Sequence, residues 1–210
     1  MMTVTESSVF VIDDDVSVRE SLELLLLSTG RRVEIFATAQ EFLACERPPG
    51  PGCLVLDLNL PDLSGIDLQS RMAVGGATAT LPIIFITGRG DIATTVRAMK
   101  AGAIEFLTKP FDHNSLLIAI DDALERSNAA LATARQINQL RQLYATLSSR
   151  EREVMRMVVK GMLNKQVAAA LGISEITVKA HRGRVMRKMQ VDSLADLVVA
   201  ASKLGINKTS

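Results

Sequence analysis

The chain has 210 residues, enough for one large or two small domains with cores of their own. Its formal net charge of +1 conceals an asymmetry: residues 1–147 hold 12 Lys/Arg and 18 Asp/Glu, a net of −6, whereas residues 148–210 hold 12 and 5, a net of +7. Two cysteines, Cys45 and Cys53, match no metal-ligand spacing, no apolar run reaches the roughly 18 residues of a membrane span, and the N-terminus lacks a signal-peptide pattern; a reducing, cytoplasmic setting is expected, with a polyanion as partner of the basic half.

Residues 1–7 read as a polar tail. Ser8–Ile12 is a β-branched run ending on Asp13, Asp14 and Asp15. Val16–Ser28 carries Val18, Leu22, Leu25 and Leu26 on one helical face, with Gly30 just beyond. Val33–Phe36 reads as a strand, Thr38–Ala44 as a short helix and Pro48–Gly52 as a loop. Cys53–Leu56 is apolar without alternation, as in a strand buried on both faces, and stops on Asp57. Pro61 and Gly65 force a loop, and Ser64 is placed to cap Ile66–Val74, ended by Gly75–Gly76. Pro82–Ile86 closes on Thr87, a helix is predicted over Asp91–Ala101 before Gly102, and Ile104–Leu107 leads into Thr108, Lys109 and Pro110. Asp112 is placed to cap a helix from about Ser115. Its apolar pattern runs on through Leu124, Leu131, Ile137, Leu140 and Tyr144, unbroken before Thr146.

Strand and helix thus alternate five times, which predicts an α/β, doubly wound, five-stranded parallel sheet. Its strand ends bring Asp13, Asp14, Asp57, Thr87 and Lys109 to one edge, where such folds hold their ligands. Any one Asp at a strand end is commonly a turn former or helix cap. The concurrence of all these residues at strand ends is what points to a site. Carboxylates gathered there are unfavourable unless a cation neutralises them, and an all-oxygen donor set suits Mg²⁺. Asp14 and Asp57 are the candidate ligands, with Asp13 behind them. Lys109 could pair with Asp57 or with an anion added to it, and Thr87 offers that anion a hydroxyl. A carboxylate can attack a phosphoryl group to give an acyl phosphate.

From Leu147 only helices are predicted. Ser148 and Glu151 have capping-box spacing, and that helix ends near Lys160–Gly161. Asn164 is placed to cap Lys165–Leu171, Gly172 turns the chain, Ser174 caps a helix to about Met189, and Ser193 caps a last one to about Leu204. Helix, tight turn and helix form a helix-turn-helix, whose second helix can enter the major groove. Val178, Val185 and Met189 recur at i, i+7 and i+11 and should face the core. A basic helix face is often only solvated, but here it sits on the second helix of such a pair in a half with net charge +7. Thr177, Lys179, Ala180 and Gly183 are expected near base edges, and Lys165, His181 and Arg182 near phosphates, with Arg187 on the same basic helix. His181 could equally pack between helices. Gly183 costs about 1 kcal/mol relative to Ala in mid-helix; it either allows close DNA approach or is only tolerated.

Four motifs carry a resemblance: Val-Phe-Val-Ile-Asp-Asp-Asp, Leu-Val-Leu-Asp-Leu-Asn-Leu-Pro-Asp-Leu-Ser-Gly, Ile-Ile-Phe-Ile-Thr-Gly and Glu-Phe-Leu-Thr-Lys-Pro-Phe. Residues 8–125 resemble the receiver domain of bacterial two-component response regulators, which is flavodoxin-like. Residues 147–208, through Leu-Ser-Ser-Arg-Glu-Arg-Glu-Val-Met, Gly-Met-Leu-Asn-Lys-Gln-Val-Ala and Ile-Thr-Val-Lys-Ala-His-Arg-Gly-Arg-Val-Met-Arg-Lys-Met, resemble the small all-α, four-helix output domain of the LuxR/FixJ type. Residues 126–146 would be a helical linker.

The resemblance implies a phosphorylation-dependent transcriptional regulator. Asp57 would accept a phosphoryl group from a sensor histidine kinase. Mg²⁺ would sit on Asp14, Asp57 and the backbone carbonyl of Asn59, with Asp13 behind. Thr87 and Lys109 would sense the added group, and Phe106 would be an aromatic switch lacking the hydroxyl of the Tyr often found there. A cis Lys109–Pro110 bond is implied. So are homodimerisation on phosphorylation, binding of double-stranded promoter DNA through residues 174–189, and RNA polymerase as a further partner, with no membrane partner. The last helix pairs output domains in that family, although Leu194, Leu197, Val198 and Ala201 could equally be core. No enzyme activity is implied beyond Mg²⁺-dependent self-phosphorylation and autodephosphorylation at Asp57. A haloacid-dehalogenase-like phosphatase would need a second Asp where Asn59 stands. A DNA-binding protein whose receiver never takes phosphate is the other rival.

Overall fold

The computed structural model describes residues 7–74, 80–88 and 92–206. They form two compact units, Met1–Ala132 and Thr133–Ser210, with the division falling inside one helix. No helix among the described residues is long and apolar enough to cross a membrane.

The first unit runs β1 (Ser8–Ile12), α1 (Val16–Ser28), β2 (Arg32–Phe36), α2 (Ala39–Ala44), β3 (Gly52–Asp57), α3 (Gly65–Val74), β4 (Ile83–Thr87), α4 (Ile92–Lys100), β5 (Glu105–Thr108) and the start of α5 (His113–Ala145). All strand pairs are parallel, in the order β2-β1-β3-β4-β5. β1, β3 and β4 are buried at every position, as apolar runs without alternation require. Their side chains alternate between two cores. Phe10, Ile12, Leu54, Leu56, Ile83 and Phe85 face one layer with Phe42 of α2, Leu68 of α3 and Ala98 of α4. Val9, Val11, Cys53, Val55, Ile84 and Ile86 face the other, against Leu22 and Leu26 of α1 and Leu116 and Ile120 of α5. Asp15 caps α1, Thr38 caps α2 and Ser64 caps α3, each accepting a hydrogen bond from a backbone N–H of the first turn. The helix predicted over Asp91–Ala101 is α4. Asp91 itself lies outside the described residues, as do residues 1–6, Gly75–Gly76 and residues 207–208. The Lys109–Pro110 bond is cis.

Helix α5 continues through the 126–146 stretch. Ser127 is fully buried in the first unit, where its hydroxyl accepts from Gly52 N at 3.0 Å and donates to the Thr80 carbonyl. Leu140, Leu143 and Tyr144 pack against the core of the second unit. That core lies between α6 (Ser149–Val159), α7 (Asn164–Leu171), α8 (Glu175–Met189) and α9 (Leu194–Lys203). Val178, Val185 and Met189 are its contribution from α8, and Leu197 and Ala201 of α9 are buried there too, whereas Leu194 is 42% exposed. Gly172 turns α7 into α8 at φ 64°, a left-handed conformation that suits glycine. One cap differs from its expectation. Asn164 is the first residue of α7 and does not cap it; the cap position is Leu163, whose N–H is bound by the Gln166 side chain at 2.8 Å. The Asn164 carboxamide accepts instead from Arg182 of α8 at 2.6 Å, a stronger charge-assisted bond.

The capping box of α6 is formed: Ser148 Oγ accepts from Glu151 N at 3.3 Å and Glu151 Oε2 accepts from Ser148 N at 2.9 Å. Lys188 of α8 donates to the same carboxylate at 2.7 Å and to the Thr146 carbonyl at 3.0 Å. Lys188 first, and the Ser148 N–H second, hold the buried Glu151 carboxyl below its ordinary 4.5. A depressed folded-state value stabilises the second unit above pH 4.5 and loses that stabilisation as pH falls through it. Denaturation midpoints measured from about pH 6 to about pH 3 should therefore fall more steeply for the wild type than for Glu151→Gln; parallel curves would contradict the assignment.

Candidate functional site

The reversal of strand order between β1 and β3 fixes where the pocket lies. Register pairs Ile12 with Leu56, so Asp13 and Asp57 leave adjacent strands side by side. Register also pairs Thr87 with Thr108, so Lys109 leaves β5 beside β4, its N–H on the Thr87 carbonyl at 2.7 Å. Lys109 Nζ then donates to Asp13 Oδ2 at 2.5 Å and to Asp57 Oδ1 at 2.8 Å. Asp13 is fully buried and Asp57 is 4% exposed. Asp13 Oδ1 accepts from Asp15 N at 3.0 Å, and Arg19 holds the Asp13 carbonyl at 2.6 Å. Asp57 Oδ2 accepts from Asn59 N at 2.6 Å.

Burial pushes the Asp13 carboxyl above its ordinary value, against the pull of Lys109 and the Asp15 N–H. Burial also disfavours the Lys109 ammonium, but its bonds to Asp13 and Asp57 outweigh this, and its pKa is raised. The lysine therefore stays charged. Two buried carboxyl groups thus face a single ammonium. Thr87 is buried alongside, its hydroxyl 3.4 Å from Asn59 Nδ2. Phe106 is half-buried against Phe85, with ring centroids 6.2 Å apart.

The expected crowd of three carboxylates is not formed. Asp14 is exposed, and among the described residues no three His, Cys, Asp or Glu side chains stand within reach of one metal ion. Asp13 has taken the inward position beside Asp57, because Lys109 and the Asp15 N–H satisfy it there.

Gly65 is the residue that sequence reasoning underused. It packs against the back of the pocket: a Cβ there would lie 2.7 Å from the Asp57 carbonyl oxygen and 2.9 Å from Phe85 Cε1. Arg19 was missed entirely, since nothing local marks a helix Arg as partner of a strand-end carbonyl.

On the second unit, Lys165, Lys179, Ala180, Gly183 and Arg187 are exposed. Thr177 is half-buried, its hydroxyl 2.8 Å from Ser174 Oγ. His181 is half-buried with Nδ1 enclosed and unpaired. Arg182, expected to meet phosphates, is engaged with Asn164. Lys188 is likewise engaged, with Glu151.

A sheet of this order with an acidic pocket at its β1/β3 switch point is the receiver class of fold. Here it is joined in one chain to a helix-turn-helix. Residues 9–121 match the family model of the response regulator receiver domain, and residues 145–201 that of the bacterial regulatory proteins of the luxR family. Nodulation protein W of Bradyrhizobium diazoefficiens is 49% identical over 203 residues, covering 97% of this chain and 88% of that one. Transcriptional regulatory protein FixJ of Rhizobium meliloti is 42% identical over 194 residues, 92% of this chain and 94% of that one. The structure of the response regulator StyR aligns with a TM-score of 0.78 at 50% identity, covering 94% of this chain and 99% of that chain. Full-length FixJ from B. japonicum aligns at 0.57 and 38%, covering 97% and 99%. The chain belongs to the response regulators of two-component systems, and to the branch with a LuxR-type DNA-binding domain.

Gly65→Ala should lower stability by about 1–3 kcal/mol, the usual cost of overpacking a closed contact. Denaturant midpoints would show it, and the amide signals of Leu58 and Asn59 should move. An unchanged midpoint would mean that the contact behind Asp57 gives way freely.

Proposed function

We propose that this protein is a phosphorylation-switched transcription regulator acting in the cytoplasm. Residues 8–125 are its receiver, 126–146 the connecting segment and 147–208 the DNA-binding domain. A histidine kinase presents a phosphohistidine. An Asp57 carboxylate oxygen attacks the phosphorus, the P–N bond breaks, and the imidazole leaves. The observation that carries this reading is the Lys109 ammonium bridging Asp13 and Asp57 at a strand-end edge. It is placed to balance charge on the transferring oxygens. The buried Thr87 hydroxyl stands on the same side to bind the phosphoryl group once it is attached.

The pocket suits Mg²⁺. Its donors are oxygens only, and two buried carboxyl groups face a single ammonium. Asp14, Asp57 and the Asn59 carbonyl would hold the ion, with Asp13 behind them on Lys109. Bound there, it would supply positive charge to the phosphoryl oxygens. The protein's own chemistry is then limited to accepting the group at Asp57 and losing it to water.

Phosphorylation favours a receiver state in which the α4–β5–α5 face pairs with a second copy, and the paired output domains bind two half-sites of promoter DNA through α8. A coupling of a few kcal/mol is sufficient, because the switch acts only through differential affinity for two states.

Oligomeric state and DNA affinity should both rise when Mg²⁺ and beryllofluoride are added to the wild type, and neither should change in Asp57→Asn. Light scattering and a fluorescence binding titration measure the two. No response in either protein would leave a DNA-binding domain uncoupled from Asp57.

A further inference from the structure

Helix α8 commits one narrow arc, Val178, Val185 and Met189, to the core. Diametrically opposite stand Ile176, Ala180, Gly183 and Arg187, spaced i, i+4, i+7 and i+11, all exposed. Ile176 is 80% exposed in the first turn of the helix. Between Ile176 and Gly183 this outermost strip carries no hydrogen-bonding side chain, while exposed Lys179 and Arg184 flank it and Arg187 ends it.

Neither packing nor backbone conformation within the chain requires a glycine at 183. A Cβ there would meet no heavy atom within 4 Å, and its φ is not in the left-handed range. Glycine inside a helix is nonetheless destabilising relative to alanine. The open space is therefore available to something outside the chain. The flanking cations make that occupant a polyanion, and an apolar side chain on a major-groove base edge has one specific partner, the thymine 5-methyl group.

We propose that Ile176 and Ala180 read thymine methyl groups in the major groove, and that the bare backbone at Gly183 lets α8 lie deep enough for them to reach. This rests on the reading of α8 as the recognition helix. Ile176 and Ala180 are about 6 Å apart along the helix axis, against about 3.4 Å per base-pair step. Each half-site then holds two thymines, on either strand, about two steps apart.

The test uses the full-length protein activated with Mg²⁺ and beryllofluoride. Its sites are selected from a random duplex library. Each thymine in the selected site is then replaced by deoxyuridine, which removes only the methyl group. Two positions per half-site should lose affinity, by about fourfold each, the worth of burying one methyl-sized group. Ile176→Ser should abolish the loss at one of those positions and keep it at the other. Gly183→Ala should stabilise the isolated fold and weaken binding to the selected site. A consensus indifferent to deoxyuridine at every position would overturn the inference and leave α8 as the recognition helix. So would an equal loss for Ile176→Ser on thymine and deoxyuridine sites. Selection that yields no consensus would overturn the DNA-recognition reading itself.

Discussion

One ammonium group between two buried carboxylates sets the terms for the receiver. Lys109 is 96 residues from Asp13 and 52 from Asp57 in sequence, yet it binds both. Buried carboxylates side by side repel each other and resist ionisation unless a cation faces them. The cation must come from a third strand, and only a sheet with β1 beside β3 and β5 two places further on brings it there. The crossovers, the register of each pair and the turn at Lys109 all serve that meeting. Removing the ammonium would leave uncompensated charge, which is why breaking such a group costs far more than its net contribution suggests.

The same pocket explains the closeness of its surroundings. β3 has no freedom to drift, because α3 begins on its back at Gly65 and Phe85 presses from β4. The Asn59 N–H closes one oxygen of Asp57 and Lys109 closes the other. Lys109 and, through Asn59, the Thr87 hydroxyl are linked to Asp57 by the same few bonds that build the pocket.

Local pattern was a good guide wherever the physics is local. Continuous apolar runs marked the buried strands, capping residues marked α3, α6, α8 and α9, and the i, i+7, i+11 spacing marked the inner face of α8. It was a poor guide where a polar side chain had two possible partners. Asn164 looked like a cap because that role depends on neighbours in sequence; its actual partner, Arg182, is 18 residues away on another helix. Asp13 and Asp14 are adjacent and chemically identical, so only the fold could decide which turned inward. Ser127 has an ordinary place in a helical pattern and gave no sign of the Gly52 N–H that waits 75 residues earlier.

The cations of the second unit fall into two populations. Lys188 is bound to Glu151 and the Thr146 carbonyl, Arg182 to Asn164, and Arg150 to Glu153 and the Leu171 carbonyl. These groups hold helices together. Lys165, Lys179, Arg184 and Arg187 are exposed. Association with duplex DNA releases counterions in proportion to the phosphates newly neutralised. Cations with partners inside the protein contribute little to that release. The ionic-strength dependence of a DNA complex would then be governed by the second population, and be shallower than the net charge of +7 over residues 148–210 would imply.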